Sequence, residues 1–177
     1  MDKMYKRILV PLDGSEIAES VLPFVSFFAR VQGSDVVLIR VVEYPYEIYS
    51  SIDEFPPYDP CVEEAIKLKE VNICRKAMDY LDQKALGLEN QGINVISEIC
   101  ERPIVESVLD AAEELGADLI VIAINTHRNR KFRQLGSVAD RILREGSTPV
   151  ILIKPNPTNA NPFSTRAQIL SAPIYCA

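Results

Sequence analysis

The residues best suited to chemistry lie in NTHRNRKFRQLGS, which spans residues 125–137. Four of the seven residues from Arg128 to Gln134 are basic, in a chain whose formal net charge is −6. Arginine presents a planar fork of N–H donors that matches phosphate oxygens. At the end of the stretch, Gly136 and Ser137 open a predicted helix, whose first N–H groups and partial positive charge also attract anions. The stretch is therefore an anion-binding loop, a solvated basic bend, or a contact for an acidic partner.

Signals for catalysis and for metal binding are weak. The chain has a single histidine, His127, and no motif places a serine or cysteine nucleophile beside it. The four cysteines, Cys61, Cys74, Cys100 and Cys176, show no C-x-x-C spacing, which predicts reduced thiols and no zinc site. The sequence therefore predicts no catalytic residue and no protein-held metal.

Composition narrows the class of protein. A chain of 177 residues with 47 % hydrophobic and 25 % charged residues fits one globular domain with its own core. A pI near 4.9 argues against general nucleic-acid binding, which requires a basic face. No apolar stretch approaches the ~18 residues needed to span a bilayer, and the N-terminal apolar run is too short for a signal peptide. We therefore expect a cytoplasmic protein with no membrane or nucleic-acid partner.

The elements that must position the candidate residues are five short apolar runs rich in β-branched residues. They are ILVPL (8–12), VVLIRVV (36–42), INVISEI (93–99), DLIVIAI (118–124) and PVILI (149–153), and they predict strands mostly buried on both faces. Helical segments separate them; the first contains Pro23, and the third has Pro103 at its predicted first position and a stop signal at Gly116. This alternation predicts an α/β fold with an open five-stranded parallel sheet and helices on both faces.

Open parallel sheets bind ligands outside the carboxyl ends of their strands. The candidate positions are therefore residues 13–15, 41–46 and 100–103, together with the basic stretch after the fourth strand. The aromatic and acidic insertion at 44–60 is either a flap over this edge or a packed structural loop. Periodicity ends near residue 155, so residues 1–155 are predicted to form the domain, and residues 156–177 a flexible or loosely docked tail.

Three separated segments resemble the universal stress protein family: KRILVPLDGSEIAESVLPFVSFFA, RPIVESVLDAAEELGADLIVIAINTH and LGSVADRILREGSTPVILIKP. The resemblance covers roughly residues 4–155 and implies the strand order 3-2-1-4-5. In one branch of the family it implies ATP or AMP at the sheet edge, with Mg²⁺ accompanying ATP. It also implies a homodimer formed through the last strand, Pro149, Val150, Ile151, Leu152 and Ile153. The positions implied for nucleotide contact are Pro11, Leu12, Asp13, Val41, Asn125, Arg128, Gly136, Ser137, Val138 and Ala139.

Several of these positions carry specific roles in the resemblance. Asp13 stands where an acidic residue accepts hydrogen bonds from adenine or ribose, although it could instead cap the first helix. Val41 matches an apolar position that lies against adenine. Gly136 and Ser137 match the end of the family's Gly-x2-Gly-x9-Gly-Ser/Thr phosphate loop. Ser137 is also predicted to be an ordinary N-cap, with Asp140 completing an arrangement that resembles a capping box.

The two earlier glycines of that phosphate loop do not match. Asn125 and Arg128 stand in their places, and the loop is two residues shorter than the family pattern. Glycine lets backbone N–H groups approach phosphate without a Cβ in the way, so its loss should remove much of the cradle unless arginine side chains replace it. Three functions remain: a nucleotide-binding regulatory module like the universal stress proteins, a nucleotide-independent dimeric interaction protein and, ranked last, a weak ATPase.

Overall fold

The fold is built on one parallel sheet. A computed structural model describes residues 4–43, 60–101, 103–124 and 136–154. Its strands are ordered β3-β2-β1-β4-β5, and their bounds are β1 Arg7–Pro11, β2 Asp35–Val41, β3 Val95–Cys100, β4 Leu119–Ala123 and β5 Val150–Ile153. The predicted α/β class, the five strands and the strand order 3-2-1-4-5 are confirmed.

The pairing of the central strands sets two buried faces. Val10 of β1 lies beside Leu38 of β2, and Leu9 lies beside Val37. Because successive side chains of a strand point to opposite faces, Val10 and Leu38 join one core cluster while Leu9 and Val37 join the other. All four side chains are fully buried, which explains why these strands are continuously apolar in sequence.

Helices cover both faces of the sheet. One layer contains α1 (Glu16–Glu19), α2 (Leu22–Gln32) and α3 (Pro60–Glu89), and the other contains α4 (Ile104–Glu114) and α5 (Ser137–Glu145). The second half of α3 packs on the sheet through Leu81, Ala85 and Leu88, whereas Leu68 and Val71 of its first half are exposed. No helix in the described ranges combines the length and the apolar character needed to cross a membrane.

The first predicted helix is in fact two helices, which corrects the expected position of Pro23. The chain leaves α1 at Ser20 and starts α2 at Leu22, so that Pro23 occupies the first turn of α2. A proline in the first turn costs little, because its missing N–H has no intrahelical acceptor there. The prediction of a proline inside a continuous helix was therefore wrong.

The bounds of α4 agree with the sequence signals to within one residue. Pro103 is the N-cap and Ile104 is the first helical residue, whereas Pro103 was predicted at the first helical position. At the other end, Gly116 follows the C-cap Leu115 with φ +63°. This left-handed conformation is the reason for glycine at the predicted stop.

Candidate functional site

The site begins where β1 and β2 end. Pro11 pairs with Ile39, and the amide of Leu12 donates to the carbonyl of Ile39 at 2.8 Å. Carrying this register forward by two residues brings Asp13 level with Val41. Adjacent strands lie about 4.8 Å apart, so the two positions that the sequence predicted to flank a base belong to neighbouring strand ends.

Asp13 organises the loop between β1 and α1. Its Oδ1 accepts a hydrogen bond from the amide of Ser15 at 2.8 Å, and the Oγ of Ser15 accepts one from the amide of Ala18 at 3.1 Å. Ser15 is therefore the N-cap of α1, and Asp13 supports the turn from two positions before it. The Asp13 side chain remains exposed at the sheet edge, where it can also meet a ligand.

A guanidinium group lies beneath this loop. Gly14 has φ +85°, and a Cβ on it would lie 3.1 Å from the nearest guanidinium nitrogen of Arg40. On its other side, the Arg40 guanidinium carbon lies 4.7 Å from the centroid of the Tyr80 ring, within the range of a cation–π contact. Arg40 thus connects the candidate binding loop to helix α3.

Sequence reasoning missed Arg40, although a signal was present. It is the one charged residue in the apolar run VVLIRVV, near the carboxyl end of a buried strand. A charge at such a position needs partners. The tertiary structure supplies a cation–π contact with Tyr80 of α3 and places the guanidinium near Gly14, and both residues are far from Arg40 in sequence.

The Tyr80 ring is held in place by an ionic network. Its hydroxyl donates to Glu19 Oε1 at 3.0 Å, and Lys84 Nζ donates to Glu19 Oε2 at 2.6 Å. Burial, followed by the hydrogen bond to Glu19, raises the pKa of Tyr80, and the charge of Arg40 opposes this shift. The phenol therefore stays protonated at neutral pH and donates to Glu19 while its ring contacts the two cations.

The second half of the site is the beginning of α5. Gly136 is the N-cap, and within the described part of the chain no side chain caps this helix. The first intrahelical bond runs from the amide of Asp140 to the carbonyl of Gly136 at 2.9 Å. The amides of Ser137, Val138 and Ala139 precede that bond, as the first amides of any helix do, and they carry its partial positive charge.

The prediction that Ser137 caps α5 was wrong. Ser137 is the first helical residue and is exposed, while the carboxylate of Asp140 accepts a hydrogen bond from Arg144 at 2.9 Å. The physical reason is that Gly136 itself adopts the extended cap conformation, with φ −57° and ψ 146°. The hydroxyl of Ser137 is consequently not used for capping.

Several predicted residues lie outside the described ranges. Asn125 and Arg128 belong to residues 125–135, which carry the basic stretch, and the insertion 44–59 and the tail 156–177 are likewise outside. The roles assigned to them stay predictions. Ile124 is the last described residue before the basic stretch, and its amide donates to the carbonyl of Ile153 at 2.8 Å.

The last strand is an edge of the described sheet. β5 pairs only with β4 there, and Ile151 and Ile153 are half-buried, in contact with the core. Edge strands with apolar side chains favour pairing with another chain. The strand predicted to form a dimer is therefore positioned to do so, and the dimer itself stays a prediction.

Comparison with known proteins agrees with this architecture. The family model described as the universal stress protein family matches residues 4–154. Universal stress protein MJ0577 of Methanocaldococcus jannaschii is 28 % identical over 158 residues, which cover 87 % of this chain and 98 % of that protein. The solved structure of MJ0577 superposes with a TM-score of 0.69 and covers 88 % of this chain and 99 % of its own.

Other solved structures share the fold. A universal stress family protein from Burkholderia pseudomallei is 27 % identical, with a TM-score of 0.58 and coverage of 85 % and 96 % of the two chains. An Archaeoglobus fulgidus universal stress protein, solved in complex with dAMP, is 21 % identical, with a TM-score of 0.57 and coverage of 85 % and 99 %.

Proposed function

The chain belongs to the universal stress protein family, and from this premise we propose that it is a regulatory module that binds AMP or ATP at the carboxyl edge of β1, β2 and β4. The observation that carries the proposal is the register of β1 and β2, which pairs Pro11 with Ile39 and, extended by two residues, would bring Asp13 level with Val41. An acidic acceptor and an apolar surface at neighbouring strand ends suit the polar edge and the flat face of a purine. The same edge adjoins the start of α5.

The ligands of two relatives support an adenine nucleotide. One universal stress protein was solved with cAMP and the Archaeoglobus fulgidus protein with dAMP. The two ligands share adenine and a phosphate but differ in their sugar and phosphate geometry. Their common part corresponds to the two halves of the proposed site, a base position at Asp13 and Val41 and a phosphate position at α5.

In this proposal the base lies against Val41, and Asp13 accepts hydrogen bonds from adenine or ribose. Val41 is half-buried, so an apolar surface is available to the ring. Leu12 is 2 % exposed and would contribute backbone groups only, while the half-buried Pro11 would add a rigid wall to the base position. The guanidinium of Arg40, which lies near Gly14, would limit the movement of the loop that carries Asp13.

The phosphates would lie at the first turn of α5. The leading amides of Ser137, Val138 and Ala139 point toward the helix start, where the dipole favours negative charge. Asn125 and Arg128 are proposed to complete the site in place of the two family glycines, with the guanidinium of Arg128 binding phosphate oxygens. With ATP, Mg²⁺ would accompany the phosphates.

Calorimetric titration of the purified chain with AMP and with ATP, with and without Mg²⁺, tests this function. Val41→Asp places a charge where adenine would lie and is expected to weaken binding at least tenfold. Val31→Asp is the matched control, because Val31 is 67 % exposed on α2 and lies outside the proposed site. The absence of heat up to millimolar nucleotide would refute the proposal, as would equal effects of the two variants.

The role of the basic stretch needs its own variant. Arg128→Ala is expected to weaken ATP binding more than AMP binding, because ATP brings more phosphate charge to the same position. Unchanged affinity for both nucleotides would remove Arg128 from the site while leaving the base position intact. The nucleotide-independent interaction protein would then become the better account of this surface.

We further propose that the protein is a homodimer formed through β5 and acts in the cytoplasm, where adenine nucleotides are abundant. The half-buried Ile151 is the natural site for a test. Ile151→Glu is expected to give a monomer by light scattering. Ile104→Glu is the matched control, because it makes the same chemical change away from β5, at the exposed start of α4. A dimer that survives Ile151→Glu would exclude this interface.

A further inference from the structure

The outer half of α3, residues 63–75, extends past the sheet. Because α3 connects the parallel strands β2 and β3, it runs from the carboxyl edge of the sheet back to the amino edge. Ala77 is the first buried residue of α3 in the described part of the chain. The thiol of Cys74 donates to the carboxylate of Glu101, just after β3 ends, at 3.3 Å. The residues before Cys74 therefore lie beyond the strand ends, where the described sheet does not cover them.

Four exposed side chains form one seam along this part of the helix. They are Glu64, Leu68, Val71 and Arg75. Leu68 is 59 % and Val71 is 63 % exposed. The spacings of four, three and four residues place all four side chains on one face, because a helix has about 3.6 residues per turn. Two helices of a coiled coil pack against each other at this spacing.

The order of residues along the seam is self-complementary. It runs acid, apolar, apolar, base from the N-terminal end, and an antiparallel copy presents the reverse order. The midpoint between Leu68 and Val71 is also the midpoint between Glu64 and Arg75. A two-fold axis there would set each Leu68 against Val71 of the second copy, and each Glu64 against Arg75 of the second copy. A parallel copy would instead bring like charges together, which is unfavourable.

The helix is already prepared for such pairing. Its second half is anchored on the sheet through Leu81, Ala85 and Leu88, so the cost of ordering the helix is met by folding and not by association. Arg75 donates to Asn72 Oδ1 at 2.9 Å, and its guanidinium, with five N–H donors, can also bind a carboxylate.

We propose that the outer half of α3 pairs, antiparallel, with the same segment of a second copy of this chain. Leu68 and Val71 would be removed from water at the centre of the contact. Glu64 and Arg75 would form two equivalent ion pairs at its ends. The contact is separate from the dimer proposed through β5, because α3 packs on β3, and β3 and β5 are opposite ends of the described sheet. The inference does not depend on nucleotide binding.

Sedimentation equilibrium of the full chain, carried to millimolar concentration, tests the proposal. Ile151→Glu is used as the background, so that β5 does not contribute. We expect the average mass to rise from the 19.8 kDa of one chain toward twice that value. Leu68→Asp should abolish the rise, because it places an acid at the centre of the contact. Leu86→Asp is the matched control, since Leu86 is 57 % exposed on the same helix but would face a position before α3 begins.

Charge reversal identifies the second copy as the partner. Glu64→Arg and Arg75→Glu each replace two ion pairs by two like-charge contacts and should weaken self-association about tenfold. A mixture of these two variants should associate as the unchanged seam does, because one chain then carries two bases and the other two acids. Lys69→Glu is the matched control for Arg75→Glu, since Lys69 is exposed on another face of α3, and it should change little.

The outcomes decide what covers this face of α3. No rise in mass at millimolar concentration overturns the proposal, because the face would then be covered by other residues of the chain or by a different protein. Equal effects of Leu68→Asp and Leu86→Asp would show nonspecific association and overturn it too. So would a mixture of the charge variants that associates no better than its components. If Ile151→Glu impairs folding, the same comparisons are made in the unmodified chain, as association beyond that at β5.

Discussion

Substitution of Gly14 by alanine separates backbone strain from side-chain contact at the proposed base-binding loop. Gly14 has φ +85°, and its missing Cβ would lie 3.1 Å from a guanidinium nitrogen of Arg40. Gly92 offers a matched comparison, because it has φ +79° and nothing within 4 Å of an added Cβ. Both glycines therefore share the left-handed backbone, and only Gly14 has the neighbour.

The strain can be estimated from the backbone alone. A non-glycine residue in a left-handed conformation costs about 1–2 kcal/mol, so Gly92→Ala should lower the free energy of unfolding by that amount. The contact at Gly14 adds little, because the guanidinium of Arg40 is the tip of a flexible side chain and its partly exposed contact with Tyr80 contributes about 0.5–1 kcal/mol. We expect Gly14→Ala to cost about 1.5–3 kcal/mol.

The assay is chemical denaturation at one fixed protein concentration, since oligomerisation would shift the apparent stability. In a protein that already carries Arg40→Met, adding Gly14→Ala should lower the free energy of unfolding by no more than Gly92→Ala does in the original chain. The reason is that Arg40→Met removes the guanidinium that would crowd the new Cβ. Nucleotide affinity should fall in Gly14→Ala and be unchanged in Gly92→Ala. If the loss of unfolding free energy in Gly14→Ala exceeds that in Gly92→Ala by more than about 2 kcal/mol, the reasoning is refuted, since Arg40 would then be rigidly held.

Three further expectations concern single polar side chains. Ser15→Ala should lower the free energy of unfolding by about 1 kcal/mol, because it removes the cap on the amide of Ala18; no loss in urea denaturation would contradict this. Ser107→Ala should leave that energy unchanged or raise it by up to ~1 kcal/mol, because its unpartnered hydroxyl is removed; a clear loss of stability would contradict it. The hydrogen bond from Arg141 lowers the pKa of Glu106 below its ordinary value of 4.5, so the pair stabilises the fold above that value and the benefit fades as the pH falls through the lower folded pKa. NMR titration of the Glu106 carboxyl should show a higher pKa in Arg141→Met, and an unchanged pKa would contradict the assignment.

Local patterns predicted the elements of the fold because they depend on burial and backbone geometry. The five apolar runs became five strands since both faces of the sheet are covered. Gly116 ended α4 since its φ is +63°. Where two signals competed, the prediction failed: Pro23 lay in the first turn of a second helix instead of inside the first, and Gly136 took the cap position expected for Ser137.

The candidate site was predictable only in part. The positions of Asp13 and Val41 followed from the strand ends, because parallel strands bring their carboxyl ends to one edge. Arg40 did not follow, although it is conspicuous in an apolar strand, because its partners are Gly14 and Tyr80, from distant elements.

The sequence by itself determined the α/β class and the five strands, because hydrophobic periodicity is a local property of the chain. Only the tertiary structure decided which charged groups meet. It brought Arg40 near Gly14 and against Tyr80, and it left the Ser107 hydroxyl buried without a hydrogen-bond partner in the described part of the chain. The physical reason is that electrostatic and hydrogen-bond partners must be close in space. Strand order and helix packing fix the distances between side chains, whereas separation along the sequence does not.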